Sequence, residues 1–169
     1  MPRVAIVMGS DSDWTTMQRC AAQLQSLGIE PHVEVMSAHR GPARVAEFAE
    51  SAKSSGVEVI IAAAGMSAAL AGTIAAHTTL PVIGVPIASG SLNGMDALLS
   101  TVQMPPGVPV AAMAIGDPGA TNAAILAAQI IALHDERVAA ALQSFKTDQA
   151  AGVTARNAAL QTKRRSDRG

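Results

Sequence analysis

Aromatic side chains make up only 2% of the chain, tyrosine is absent, and Trp14 is the single tryptophan. A surface that stacks unpaired bases therefore has almost nothing to build with. Charge is scarce as well: 15% of residues carry it, and the total nearly cancels to −1. That leaves no basic face for a nucleic-acid backbone, and the one basic cluster, KRRSDRG at the C-terminus, reads as a solvated end. Cys20 is the only cysteine, which excludes an internal disulfide and a cysteine-rich zinc site and suits a reducing compartment. Its place among alanines at a helical position makes it a small buried hydrophobe. No apolar run is long enough to span a bilayer, and the one in MPRVAIVMGS is too short for a secretory leader. These absences point to a cytoplasmic protein that binds neither membrane nor nucleic acid.

What is present is apolar and periodic. With 169 residues, 49% of them hydrophobic, the chain has the size of one domain with a real core, expected over residues 1–150 and followed by a polar tail over 151–169. RVAIVM, PHVEVM, VEVIIAAAG, PVIGVPI and PVAAMAI are short apolar, β-branched runs. Between them lie WTTMQRCAAQLQSLG, GPARVAEFAESAKSSG, SAALAGTIAAHT and MDALLSTVQM, with helical spacing, and a long helix is expected from about Thr121 to Phe145. Five strands buried on both faces, each followed by a helix, predict an α/β fold: a parallel five-stranded sheet inside a three-layer αβα sandwich.

The segments that follow the strands, GSDSD, SAHRGP, AGMS, PIASGSLNG and GDPGATN, all emerge at the carboxyl edge of such a sheet and carry the glycines, hydroxyls and ionisable groups. The turns before the strands carry only helix-stop chemistry. Open α/β sheets bind ligands at the carboxyl edge, where the strand order reverses. In GSDSDW, Ser10 and Ser12 and the free N–H groups of the next helix suit an anion, although Asp11, Ser12 and Asp13 also suit a simple helix cap. SAHR adds Arg40, a planar fork for phosphate, and His39, the kind of side chain that moves protons near neutral pH. His32, His77 and His134 fall on strands or helices and read as structural. Neither G-x-G-x-x-G nor a phosphate-binding P-loop motif occurs, no His, Cys, Asp and Glu cluster has metal-ligand spacing, and no metal or tightly held cofactor is expected.

Three functional classes fit these residues. One is an enzyme acting on a phosphorylated small molecule. Another is a serine hydrolase, since Gly65-Met66-Ser67-Ala68-Ala69 approximates a nucleophile elbow and Asp96 or Asp117, then His134, follow in hydrolase order. That His134 falls within a long helix beyond the last strand, rather than in a loop, argues against it. The third is a nucleotide-binding module without turnover.

VAIVMGSDSDW, HVEVMSAHRGP, PVIGVP, LLSTVQMPPGVPV and GATNAAILAAQI together resemble the N5-carboxyaminoimidazole ribonucleotide mutase family, the bacterial type of phosphoribosylaminoimidazole carboxylase catalytic subunit, from about Arg3 to His134. The resemblance implies a flavodoxin-like fold, a homo-octamer, and an isomerase of de novo purine synthesis that moves a carboxylate from the exocyclic nitrogen of an aminoimidazole ribonucleotide to ring C4. It further implies that Ser10, Arg40 and Ser37 hold the phosphate, Asp13 the ribose hydroxyls, and Ser12 and the loop around Gly65 the base and carboxylate, with Ala38 also among the substrate-binding residues. His39 corresponds to the catalytic acid and base. One departure stands out: where many bacterial members read GGAAHLPG, this chain has GMSAALAG, with Ala69 in place of a second histidine and Ala71 in place of a proline. That keeps open a related carboxylase, which takes CO2 directly onto the aminoimidazole.

Overall fold

The computed structural model describes residues 3–167. The outermost ends of the expected domain and tail, residues 1–2 and 168–169, lie outside the described residues. Strands β1 (Val4–Met8), β2 (His32–Val35), β3 (Val59–Gly65), β4 (Val82–Ile87) and β5 (Ala111–Ala112) alternate with helices α1 (Trp14–Ser26), α2 (Pro42–Ser51), α3 (Leu70–His77), α4 (Met95–Val102), α5 (Asp117–Ala132) and α6 (Glu136–Ser166). The sheet is parallel throughout, in the order β2-β1-β3-β4-β5, which is the flavodoxin-like order.

Successive side chains of a strand point to opposite faces, and here that period sorts the core into two. Val4, Ile6 and Met8, with Val59, Ile61 and Ala63, face α1, α5 and the start of α6 through Met17, Cys20, Leu24, Ala124 and Ile131. Ala5 and Val7, with Ile60 and Ala62, face α2 and α3 through Val45, Ala49, Leu70 and Ile74. Each buried Ile or Leu contributes roughly 1.5–3 kcal/mol, so the sheet is a rigid platform for the loops at its ends. Cys20 sits wholly inside the first core, and burial pushes its thiol up to about 12, which makes it inert as a nucleophile.

Three expectations need correction. The fifth strand shrinks to Ala111–Ala112, because only Ile83 and Gly84 of β4 find partners in it. The long helix over Thr121–Phe145 is two helices: the Asp135 carboxylate accepts from the N–H groups of Arg137 and Val138 and starts α6 anew, a cap hidden by the unbroken apolar spacing around it. And β2, expected to be buried on both faces, is an edge strand with mostly exposed residues. The described part of the polar tail, whose conformation the sequence left open, continues α6 to Ser166 with exposed residues almost throughout.

Candidate active site

The connections after β1 and β2 lie on one side of the point where the strand order reverses, and those after β3 and β4 on the other. A cleft of about 540 Å³ opens there at the carboxyl edge, and its walls come from all four.

The β1 connection supplies Gly9, Ser10, Ser12 and Asp13. Ser10 caps a single 3-10 turn, Asp11–Asp13, that runs into α1. Its Oγ accepts from the Ser12 N–H at 3.3 Å and from the Ser12 hydroxyl at 2.8 Å, while Asp13 Oδ2 accepts from the Ser10 N–H at 3.2 Å. The cap is made by Ser10, not by the expected Asp11, Ser12 and Asp13; Asp13 closes the box back onto the Ser10 N–H and lines the cleft. Burial drives the Asp13 carboxyl above its ordinary value, the Ser10 N–H opposing and nearby Asp11 reinforcing it.

The β2 connection supplies Ser37, Ala38, His39 and Arg40. Met36 N–H still bonds to Met8 O at 2.9 Å, anchoring this loop beside the first, and Ser37 Oγ accepts the Arg40 N–H at 3.3 Å. Pro42 then opens α2. Among the described residues, no carboxylate lies within ion-pair reach of His39 or Arg40. The other three histidines do each meet one: His32 with Glu34 at 3.1 Å, His77 with Glu50 at 3.1 Å, and His134 with Glu58 at 2.7 Å.

The β3 connection brings Gly65, Met66, Ser67 and Ala69, and the β4 connection brings Ser89. Met66 has a φ of 54°, a left-handed backbone that costs an L side chain roughly 1–2 kcal/mol, and the residue is 59% exposed. At Gly65 a Cβ would run into the Ser89 hydroxyl, so any side chain there would require Ser89 to shift.

All eight residues expected at the site, Ser10, Ser12, Asp13, Ser37, Ala38, His39, Arg40 and Gly65, line this one cleft. Sequence reasoning missed Ser89. Its segment was recognised as a carboxyl-edge loop, but nothing local separates Ser89 from Ser91. The hydrolase alternative loses its base: His134 lies in the joint between α5 and α6, against Glu58 and Arg3 at the amino edge of the sheet, far from Ser67. Asp96 lies in the first turn of α4, where its carboxylate accepts from the Ala97 N–H at 2.9 Å, and Asp117 pairs with Arg19 at 2.8 Å. Among the described residues, no three His, Cys, Asp or Glu side chains converge as a metal site, and no helix is long and apolar enough to cross a membrane.

A larger cleft, about 820 Å³, lies at the amino edge between Arg3, Leu27, His32 and Arg137. Size does not make it the reactive one. Its cationic side chains are engaged: Arg3 pairs with Glu58 and, at 2.6 Å, with Asp135, which also holds Arg137 at 3.5 Å.

Residues 3–152 match the AIR carboxylase family profile. A protein of Vibrio parahaemolyticus named N5-carboxyaminoimidazole ribonucleotide mutase is 51% identical over 153 residues, covering 90% of this chain and 95% of that protein. The Escherichia coli K12 protein of the same name is 54% identical over 147 residues, 87% of each chain. The crystal structure of Treponema denticola PurE superposes with a TM-score of 0.84 at 30% identity, covering 94% of this chain and 98% of that one.

Proposed function

The chain belongs to the AIR carboxylase family, and from that premise we propose that it is an isomerase of purine biosynthesis, converting N5-carboxyaminoimidazole ribonucleotide to 4-carboxy-5-aminoimidazole ribonucleotide with His39 as general acid and base. The observation that carries the reading is the convergence of eight anticipated residues from three connections on one cleft, with His39 and Arg40 free of any carboxylate among the described residues.

Arg40, with Ser10 and Ser37, grips the phosphate, since a guanidinium with no internal partner keeps its full fork for an incoming anion. Asp13 accepts from the ribose hydroxyls. Ser12, Ala38 and the backbone at Gly65 surround the heterocycle. The nitrogen–carboxylate bond breaks, CO2 departs from nitrogen, and imidazolium His39 places a proton on that nitrogen. The electron pair at C4 then attacks CO2, and neutral His39 takes the C4 proton, so the enzyme ends as it began. The ring supplies the electron push; the protein supplies position, proton transfer and retention of CO2.

A second reading is favoured by one observation. Ala69 lines the cleft where many relatives place a histidine, leaving one imidazole there, and a carboxylase using CO2 directly requires a proton to be removed only from C4. An ultraviolet assay of the purified protein separates the two: turnover of the carbamate substrate identifies the mutase, whereas turnover of aminoimidazole ribonucleotide only with bicarbonate identifies the carboxylase. His39→Asn should lower kcat by roughly 10²–10⁴ while nucleotide affinity persists. A variant that keeps most of its turnover removes His39 from this role.

The working form proposed is a cytoplasmic homo-octamer. Leu92, Met95, Leu99 and Val102 form an exposed apolar stripe on and before α4, about half exposed each, which supports burial against another copy; light scattering gives the stoichiometry. The catalytic unit proposed is residues 1–150, with 151–169 as a polar tail; among the described residues, those that line the cleft all fall within the first part.

A further inference from the structure

We propose that Ser89, on the connection after β4, is a substrate-contacting residue that holds the migrating carboxylate and the CO2 it becomes; the inference rests on the isomerase reading above. The cleft runs along the sheet edge in strand order, from Arg40 after β2, past Ser10 after β1 and Gly65 after β3, to Ser89 after β4. Strand spacing makes that roughly 14 Å. With the phosphate held at the Arg40 end, the carboxylated ring points along the cleft toward β3 and β4, and Ser89 stands there.

Its place is well defined. The hydroxyl occupies the space a side chain at position 65 would fill, and the ends of its loop are drawn together, with Gly94, at a φ of 87°, packed against the Ala88 backbone. Among the described residues the Ser89 hydroxyl is in no side-chain hydrogen bond, so its donor is available to a ligand.

The chemistry favours a neutral donor at this end. A cation would hold the carbamate carboxylate more tightly than neutral CO2, stabilising the ground state over the transition state and slowing bond cleavage. A hydroxyl loses less as the carboxylate sheds its charge. It can therefore keep CO2 in line for C4 without opposing its release from nitrogen. Neither the β3 nor the β4 contribution to the cleft contains a charged side chain.

The experiment follows substrate carrying a 13C carboxylate in buffer with unlabelled bicarbonate. In the native enzyme most product should retain the label. Ser89→Ala should release several-fold more decarboxylated aminoimidazole ribonucleotide and lose a matching share of label, with Tm and the affinity for inorganic phosphate unchanged. Unchanged label retention in a folded Ser89→Ala variant overturns the proposal, as does a loss of label accompanied by equal losses of Tm and phosphate affinity, which marks a merely structural serine. If the native protein fails to isomerise the carbamate at all, the isomerase reading itself falls, a result distinguishable from the first two.

Discussion

The two edges of the sheet use charge in opposite ways. At the amino edge Arg3 ties the start of β1 to Glu58 before β3 and to Asp135 at the joint of α5 and α6, and His134 closes the group. There the charges hold the fold together. Arg3, through its side-chain hydrogen bond above all, holds the Glu58 carboxyl below its ordinary value; at Asp135 burial pushes upward, but Arg3 and the Val138 and Arg137 N–H groups prevail and bring it to about 2. At the carboxyl edge His39 and Arg40 have no such partners, and the buried Asp13 is held above its ordinary value by desolvation. The wider cleft lies at the edge whose polar groups are satisfied; the reactive one lies where they are left for a ligand. An unsatisfied group is a cost to folding that persists at sites of function.

Three substitutions can break or sharpen this contrast. Arg40→Ala should have the largest effect, lowering kcat/KM by roughly 10–100-fold through loss of charge-assisted phosphate bonds, mostly in KM, with Tm unmoved; steady-state kinetics beside a thermal melt reads both. A fall in Tm without a kinetic change would mean that Arg40 belongs with the structural charges.

Asp13→Asn comes next. An amide can still accept the Ser10 N–H but grips ribose hydroxyls less well, so kcat/KM should drop roughly tenfold while Tm at neutral pH holds or rises. The sign follows from the raised carboxyl: the folded state favours its protonated form, so its contribution to stability is complete below the unfolded value of 3.8 and is lost as pH rises through the folded one. The neutral amide removes that penalty. A clear loss of Tm at neutral pH in the variant would contradict it.

Arg3→Ala, at the other edge, should leave kcat/KM at 25 °C unchanged and cost about 1–2 kcal/mol of stability, a fall of roughly 2–8 °C in Tm. Here the carboxyls are depressed, so their contribution is present above the unfolded values and is lost as pH falls, for Asp135 between 3.8 and about 2. Acid titration of the native protein should therefore show a steeper loss of stability than the variant over that window. Equal slopes would show that the amino-edge pairs contribute nothing.

Much of this was legible beforehand. VAIVM, VIIAAAG and VIGVPI could be read as buried strands because no charge interrupts them, and the burial of β1 and β4 is complete. The site was legible because serine, histidine, arginine and glycine cluster just after those strands. Harder to see were the break at Asp135, whose cap is outvoted locally by apolar spacing on both sides, and β5, whose length depends on how much of β4 remains free to pair with it. Helix in the polar second half of α6 could not be read for a related reason: apolar periodicity marks only helices that bury a face.

The order of residues along the chain decided which segments are strands, which face each of their side chains takes, and which connections carry polar chemistry, because those properties depend on covalent neighbours and on periods of two or of 3.6 residues. It could not decide that β1 lies between β2 and β3, that Ser89 comes to rest over Gly65, or that His134 ends far from Ser67. Those neighbours are chosen by the packing of two cores on the two faces of one sheet, a free-energy balance that belongs to the whole domain and to no single stretch of it.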